Sequence, residues 1–521
     1  MKRIYVIAVP ILLFITVSCG QGMWKKSGGA AVKDIAIIKK TNIIETMSQA
    51  EMFEDFNYLV KNLNEKHIMI SILKDYYNYD VNKEFDKLRN TIQFITNKKD
   101  FIILVYRALV ALQEHHCPYA VSHLPYISAY SDYEKAELKK INNKYHCWVP
   151  NYYMKIKIRL PILYYNGEYV VYKTFTNANT VIPKGATVLK IDGQPVSDYI
   201  RTLLIYKYLN WDSSKKVFYD DYFYLSDASL KNSKFSLTFK AGKNTLQSEF
   251  DSNQKLQKIP KKEEDYPKIF YFTNIKTLYI RFPKCNDTEY YKKNIPLYKT
   301  NDIKKVIVDI RGNQGGIPLA TFTLISYLIG DPFTYSGSKV VLHQESNYSN
   351  YKPMSIYNEL ASVELNIEFE KTLKILKNIL VDILDFKTTI FPSPEGLNYP
   401  GIIYLIHDKD LYSSGIVFMN IGLNTDKILT VGMPLGWPNN GMGGGASFDT
   451  LPNSKYLYGF ILDFDVSDIK NSDSVYHNEV EQFVPYTFDE TVYRETNDGD
   501  LYSPEYLTNK DSLVKWVLQQ K

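Results

Sequence analysis

The stretch "VIVDIRGNQGG", Val306 to Gly316, passes from an almost wholly apolar run into a loop rich in glycine. With Lys305 it forms "KVIVDI", and a run that apolar predicts a strand buried on both faces. Arg311, Gly312, Asn313, Gly315 and Gly316 follow, ahead of "LATFTLISYLIG" (Leu319–Gly330), which predicts a helix. Glycines at such a junction let the backbone turn tightly and aim N–H groups into a cleft at the strand's C-terminal edge. Three uses fit. One is a phosphate cradle, but GxxxxGK[ST] spacing and its lysine are missing. One is an oxyanion hole, which needs backbone donors fixed where charge develops. The third is a tight strand–helix connection with no chemistry.

Outward from this stretch the pattern stays α/β. "TLYIRF" (Thr277–Phe282) and "GIIYLIHD" (Gly401–Asp408) read as strands, and Ile416–Leu423 as a helix. Strands alternating with helices predict a layered α/β core over 266–521. Within it, residues 357–386 read as an amphipathic helical insertion. Upstream, Ser48-Gln49-Ala50-Glu51 has the capping-box pattern, with Met52, Phe56, Leu59, Val60 and Leu63 at helical spacing behind it. Residues 45–120 are expected to form a helical domain whose last helix, Phe101 to Leu112, runs into "QEHHCPY". Residues 150–255 change to short β-type runs with a hairpin-type turn at Asp192-Gly193 and a helix after it. That order resembles a PDZ-like peptide-binding module, and a generic small β-domain also fits it.

At 521 residues and 45% apolar composition the chain supports several cores of roughly 100–200 residues each. The net charge of +5 is too weak to imply nucleic acid, and no basic block interleaved with aromatics is present. At the N-terminus Lys2-Arg3 precede an apolar run, Ile4 to Val17, then Ser18 and Cys19-Gly20. This resembles a bacterial lipoprotein signal over 1–19, which implies lipidation of Cys19, a tether over 20–44, and a membrane-anchored body facing the periplasm or the cell surface. Ordinary secretion and a retained anchor are the other readings. Cys117, Cys147 and Cys285 allow one disulfide and a spare thiol, with the pairing left open. With no CxxC pair a structural zinc ribbon is not expected, and no cofactor is expected.

The loop after "GIIYLIHD" carries Ser413-Ser414-Gly415. A nucleophilic serine suits a sharp turn between strand and helix, near helix N-terminal amides. It needs a base. Between Ser413 and Lys455 the sequence offers only Lys427 as a lysine; His115 and His116 are the other candidates. Neighbours on a helix point about 100° apart, so this pair does not make a joint metal site. A metal hydrolase on His115, His116 and His123 is a distant alternative.

Together these segments resemble the tail-specific (C-terminal-processing) and tricorn-core serine peptidase family. "DIRGNQGG" looks like its Gly-rich hallmark, and Ser413 falls about a hundred residues later, at the nucleophile of the family's Ser-x-x-Glu segment. Leu112-Gln113-Glu114-His115-His116-Cys117 is similar to the Leu-x-Asp-x-His-Thr segment of tricorn-like members, which implies His116 as base and leaves His115 a capping or solvated histidine. Trp437 stands where processing-type members carry a catalytic lysine. The resemblance implies a crotonase-like layered peptidase core, an oxyanion hole from the backbone of Gly315, Gly316 and Ser414, loop support from Asp309, Arg311 and Asn313, and a peptide or protein substrate. Several positions depart from it. Ile416 replaces the Glu of Ser-x-x-Glu, Met433 and Leu435 replace a Glu and a Thr, and Tyr486 replaces an Asp after Pro485. For the acidic third member Asp489 and Glu490 are the candidates. These losses keep a second expectation open, a peptide-binding protein that has the fold without the catalysis.

Overall fold

The structure is a computed structural model that describes residues 46–114, 131–153, 156–226, 234–251, 265–343, 354–357, 361–373, 376–377, 379–436, 446–467, 469, 475, 480–496 and 499–520. The expected signal, tether and Cys19 lie outside them, as do His115, His116, Cys117, His123 and Trp437. Among the described residues no helix is long and apolar enough to cross a membrane.

The centre is a six-stranded sheet. In spatial order its strands are Lys268–Phe272, Thr277–Arg281, Lys305–Asp309, Ile403–His407, Ile428–Gly432 and Gln482–Phe483. All neighbours are parallel except the first pair. Successive side chains alternate between two apolar layers. Val306, Val308, Ile403 and Leu405 face the helices Pro318–Leu328 and Ser414–Leu423, while Ile307, Tyr404 and Ile406 face Leu507, Leu513 and Val517 of the C-terminal helices. Each fully buried side chain of this size contributes roughly 1.5–3 kcal/mol, which is why these strands read as unbroken apolar runs. The fold class is therefore mixed α/β, with helices on both faces of a mainly parallel sheet.

The N-terminal region is helical as expected. Gln49–Lys66 starts on a capping box in which Ser48 and Glu51 satisfy each other's backbone N–H groups. Met69–Tyr76, Val81–Thr91, Lys98–Ala111 and Asp132–Tyr153 follow. The β region after it is a seven-stranded antiparallel sheet with a short helix, Val196–Thr202. Asp192 and Gly193 both take positive φ at its tight turn, the conformation that favours Asp-Gly there. Helices and β module share one apolar cluster, from Met52 to Phe250, so no core boundary separates them.

The helical insertion expected over 357–386 is not present. Met354–Tyr357, Ala361–Leu373 and Ile379–Ile390 are strands of a five-stranded antiparallel sheet. The sequence "ASVELNIEF" alternates apolar and polar residues one by one, and that period of two belongs to a strand.

Candidate active site

Three parallel strands end side by side, at Asp309, His407 and Gly432. The loops beyond them form the site, where open α/β sheets place ligands.

The first loop is braced almost completely. Asp309 and Arg311 are both fully buried. Arg311 Nε donates to both Asp309 oxygens at 3.0 Å, and its Nη1 donates to Asp511 at 2.6 Å and to the Tyr486 hydroxyl at 3.2 Å. Tyr279 donates its hydroxyl to Asp309 at 2.7 Å, and Arg281 donates to the carbonyls of Asp309 and Arg311 at 2.8 and 2.6 Å. Burial pushes the Asp309 carboxyl up, but Arg311 and Arg281 outweigh it and hold the group below the usual carboxylate range. Asp511 in turn caps the last helix through the N–H groups of Leu513 and Val514. Asn313 donates to the Phe282 carbonyl at 2.9 Å and accepts the Gly315 N–H at 2.8 Å. These residues are loop braces. The Gly315 N–H, expected as an oxyanion donor, is taken by Asn313.

Glycine is required at 315 and 316 for close approach. A Cβ on Gly315, at φ +91°, would fall 2.5 Å from Ser413 Cβ and 2.7 Å from the Ser414 nitrogen. One on Gly316 would fall 2.5 Å from the Cys285 carbonyl oxygen. Cys285 is a free, buried thiol, pushed by burial up to about 12, so it is chemically quiet.

The second loop carries Ser413. The Gly415 N–H donates to the Tyr412 carbonyl at 3.0 Å, closing a turn, and the Tyr412 N–H donates to the Asn313 carbonyl at 3.0 Å. Ser413 sits in that turn at φ 57°, ψ −128°, directly before the helix Ser414–Leu423. A non-glycine residue held there stores strain of about 1–3 kcal/mol, and such strain clusters at functional sites. Its hydroxyl is buried with no hydrogen-bond partner among the described residues. Ser414 differs: its hydroxyl donates to the Gly316 carbonyl at 2.8 Å, and its N–H lies in the first helical turn, where no intrahelical partner exists. The two adjacent serines are thus separated by geometry.

Beside these loops opens a cavity of about 590 Å³, lined by Arg311, Gly312, Asp408, Lys409, Met433 and Tyr486 among others. Asp408 accepts the Gly312 N–H at 2.8 Å, and burial followed by the nearby Asp410 charge raises its pKa. Ser413 does not line this cavity.

Of the expected residues, the structure brings Asp309, Arg311, Asn313, Gly315, Gly316, Ser413 and Ser414 to one sheet edge. Ile416 packs into the apolar layer. Asp489 pairs with Lys184 at 3.1 Å and Glu490 accepts the Ser512 N–H at 3.1 Å. Two further buried groups had no role assigned from the sequence. His407 ends the strand before Ser413, and burial lowers it to about 4. Glu114 is fully buried and accepts the Tyr412 hydroxyl at 3.3 Å. Among the described residues no cluster could hold a metal ion.

No family model and no curated protein sequence matches the chain. Among solved structures it is similar to mature CPAF complexed with lactacystin, at 13% identity and a TM-score of 0.47, over 86% of this chain and 96% of that one. It is similar to a photosystem II C-terminal processing protease at 12% identity and 0.34, over 87% and 98%. The tricorn protease matches at 13% identity and 0.25, over 81% of this chain and 36% of that one.

Proposed function

We propose that the protein is an extracytoplasmic serine-type endopeptidase, anchored to the membrane by lipid on Cys19. Ser413 Oγ attacks a peptide carbonyl. His116 takes its proton and returns it to the leaving amine. Oxyanion donors are the N–H groups of Gly316 and Ser414. The observation that carries this reading is the Ser413 turn: strained backbone, a hydroxyl without a hydrogen-bond partner among the described residues, and glycine-enforced contact with the "GNQGG" loop. Support for His116 comes from Glu114, two residues earlier in sequence, whose carboxylate meets Tyr412 next to Ser413. The β module would add an extended peptide as a strand.

The test is fluorophosphonate labelling of the purified chain with mapping of the label. Label is expected on Ser413, absent in Ser413→Ala and reduced by about 10⁴ or more in His116→Ala. A chain that neither labels nor cleaves peptides across a range of conditions is no peptidase. A second reading, peptide binding without catalysis, is favoured by two observations: Ser413 is only 3% exposed, and Ile416 fills the core where an acid would stand. Peptide capture that survives Ser413→Ala, from a chain that never labels, would select it.

A further inference from the structure

Of the acidic candidates near the C-terminus, Asp489 pairs with Lys184 and Glu490 accepts the Ser512 N–H. The carboxylate that the fold does bring to the nucleophile's turn arrives from the helical region. The helix Lys98–Ala111 stops through Gln113, at φ 52°, whose N–H donates to the Val110 carbonyl at 2.8 Å. The Gln113 side chain is then pinned to the β module. It donates to the carbonyls of Leu204 and Lys207 at 2.7 and 3.1 Å and accepts the Leu209 N–H at 2.8 Å. With its neighbour fixed this way, Glu114 is delivered into the interior, 0% exposed, within 3.3 Å of the Tyr412 hydroxyl. It is also close enough to the buried His67 to pull that imidazole's pKa back up against the effect of burial.

Burying a carboxylate costs several kcal/mol unless the surroundings repay it, so such a group is kept where it does something. Here it reaches Tyr412, the residue that sets the turn. The Tyr412 carbonyl closes the turn on Gly415, its N–H donates to the Asn313 carbonyl, and its hydroxyl donates to Glu114. Backbone and side chain of one residue are therefore locked from three directions, and Ser413 is the next residue along.

We infer that Glu114 is a positioning residue for Ser413: its carboxylate holds the Tyr412 hydroxyl and thereby keeps the nucleophile's turn in its strained conformation. The function assigned to Ser413 is that of the reading above. The holding role itself is a property of the folded chain and is measurable without turnover.

The experiment uses the full chain as wild type, Glu114→Met (similar in size, with no acceptor oxygen), Tyr412→Phe and the double variant. Amide hydrogen exchange is read at Gly415 and Ile416, whose N–H groups close on Tyr412 and Ser413. Each single variant is expected to speed exchange there by up to roughly tenfold, the loss that one hydrogen bond implies. The strand Lys234–Ala241 should be unaffected. The double variant should be no worse than either single one, because both remove the same contact. Fluorophosphonate labelling should slow in its maximal rate, with the probe's half-saturating concentration unchanged. Unchanged exchange at Gly415 and Ile416, additive effects, or a uniform rise across the chain would each overturn the inference. A wild type that never labels would instead defeat the peptidase reading, and the exchange data would still decide the role of Glu114.

Discussion

Two loops meet at the edge of the central sheet and treat their polar groups in opposite ways. The loop after Asp309 satisfies them: Asp309, Arg311 and Asn313 all bond within the protein, and Asp511 ties the loop to the last helix. The loop after Asp408 ends on Ser413, with strained backbone and a hydroxyl that has no hydrogen-bond partner among the described residues. Buried polar groups are normally hydrogen-bonded, and the exceptions ask for an explanation. The first loop is a frame; the second is a device held by that frame, at Gly315 and Asn313.

The comparison breaks most easily at the frame. Arg311→Ala leaves Asp309 and Asp511 buried without their main partner. Removing one member of such a network costs about 3–5 kcal/mol. A comparable drop in urea-unfolding free energy is expected, with labelling lost as the chain unfolds. A drop below about 1 kcal/mol would mean that the network is not what fixes the loop.

Residue for residue, a somewhat smaller effect separates the frame from the buried imidazoles. His67 and His407 are both lowered by burial to about 4, from an ordinary value near 6.5. The unfolded chain therefore takes up protons first as pH falls. The stabilisation is complete above about pH 6.5 and is lost progressively as pH drops through the folded value, by about 3 kcal/mol for each histidine. Urea midpoints should fall over that window, and His407→Leu should flatten the slope by about half. An unchanged slope in His407→Leu would show that His407 does not stay neutral inside the fold.

What was legible in the sequence follows the same division. The frame announced itself because a buried parallel strand and its glycines are local patterns. "KVIVDI" reads as a strand, and Gly315 and Gly316 mark close approach. Ser413 was legible only by its place after a second such strand. Its φ is imposed by contacts with a loop about a hundred residues away. The strands over 361–390 lie where an amphipathic helix is expected over 357–386, although the strict alternation in "ASVELNIEF" carries the period of a strand. Glu114 was visible only as a variant of a motif position. The bond that gives it meaning spans 298 residues, which no local pattern encodes. His407 was hidden inside the apolar run "IIYLIHD".

The smallest expected effect sharpens the device itself. At φ 57°, ψ −128° a glycine sits without the Cβ penalty that Ser413 bears, so Ser413→Gly relieves strain of about 1–3 kcal/mol. Against this, glycine loses about 0.5–1 kcal/mol more chain entropy on folding. The net gain is expected to be about 1 kcal/mol. Ser413→Ala keeps the strained backbone and removes only a buried hydroxyl that makes no hydrogen bond among the described residues, so it recovers only that hydroxyl's desolvation cost, which Ser413→Gly recovers as well. Both variants lose the label. Differential scanning calorimetry that ranks glycine above alanine would show that the turn stores strain for the sake of Ser413. The reverse order would mean that this backbone is relaxed, and the contrast between a satisfied frame and a strained device would rest on the hydroxyl alone.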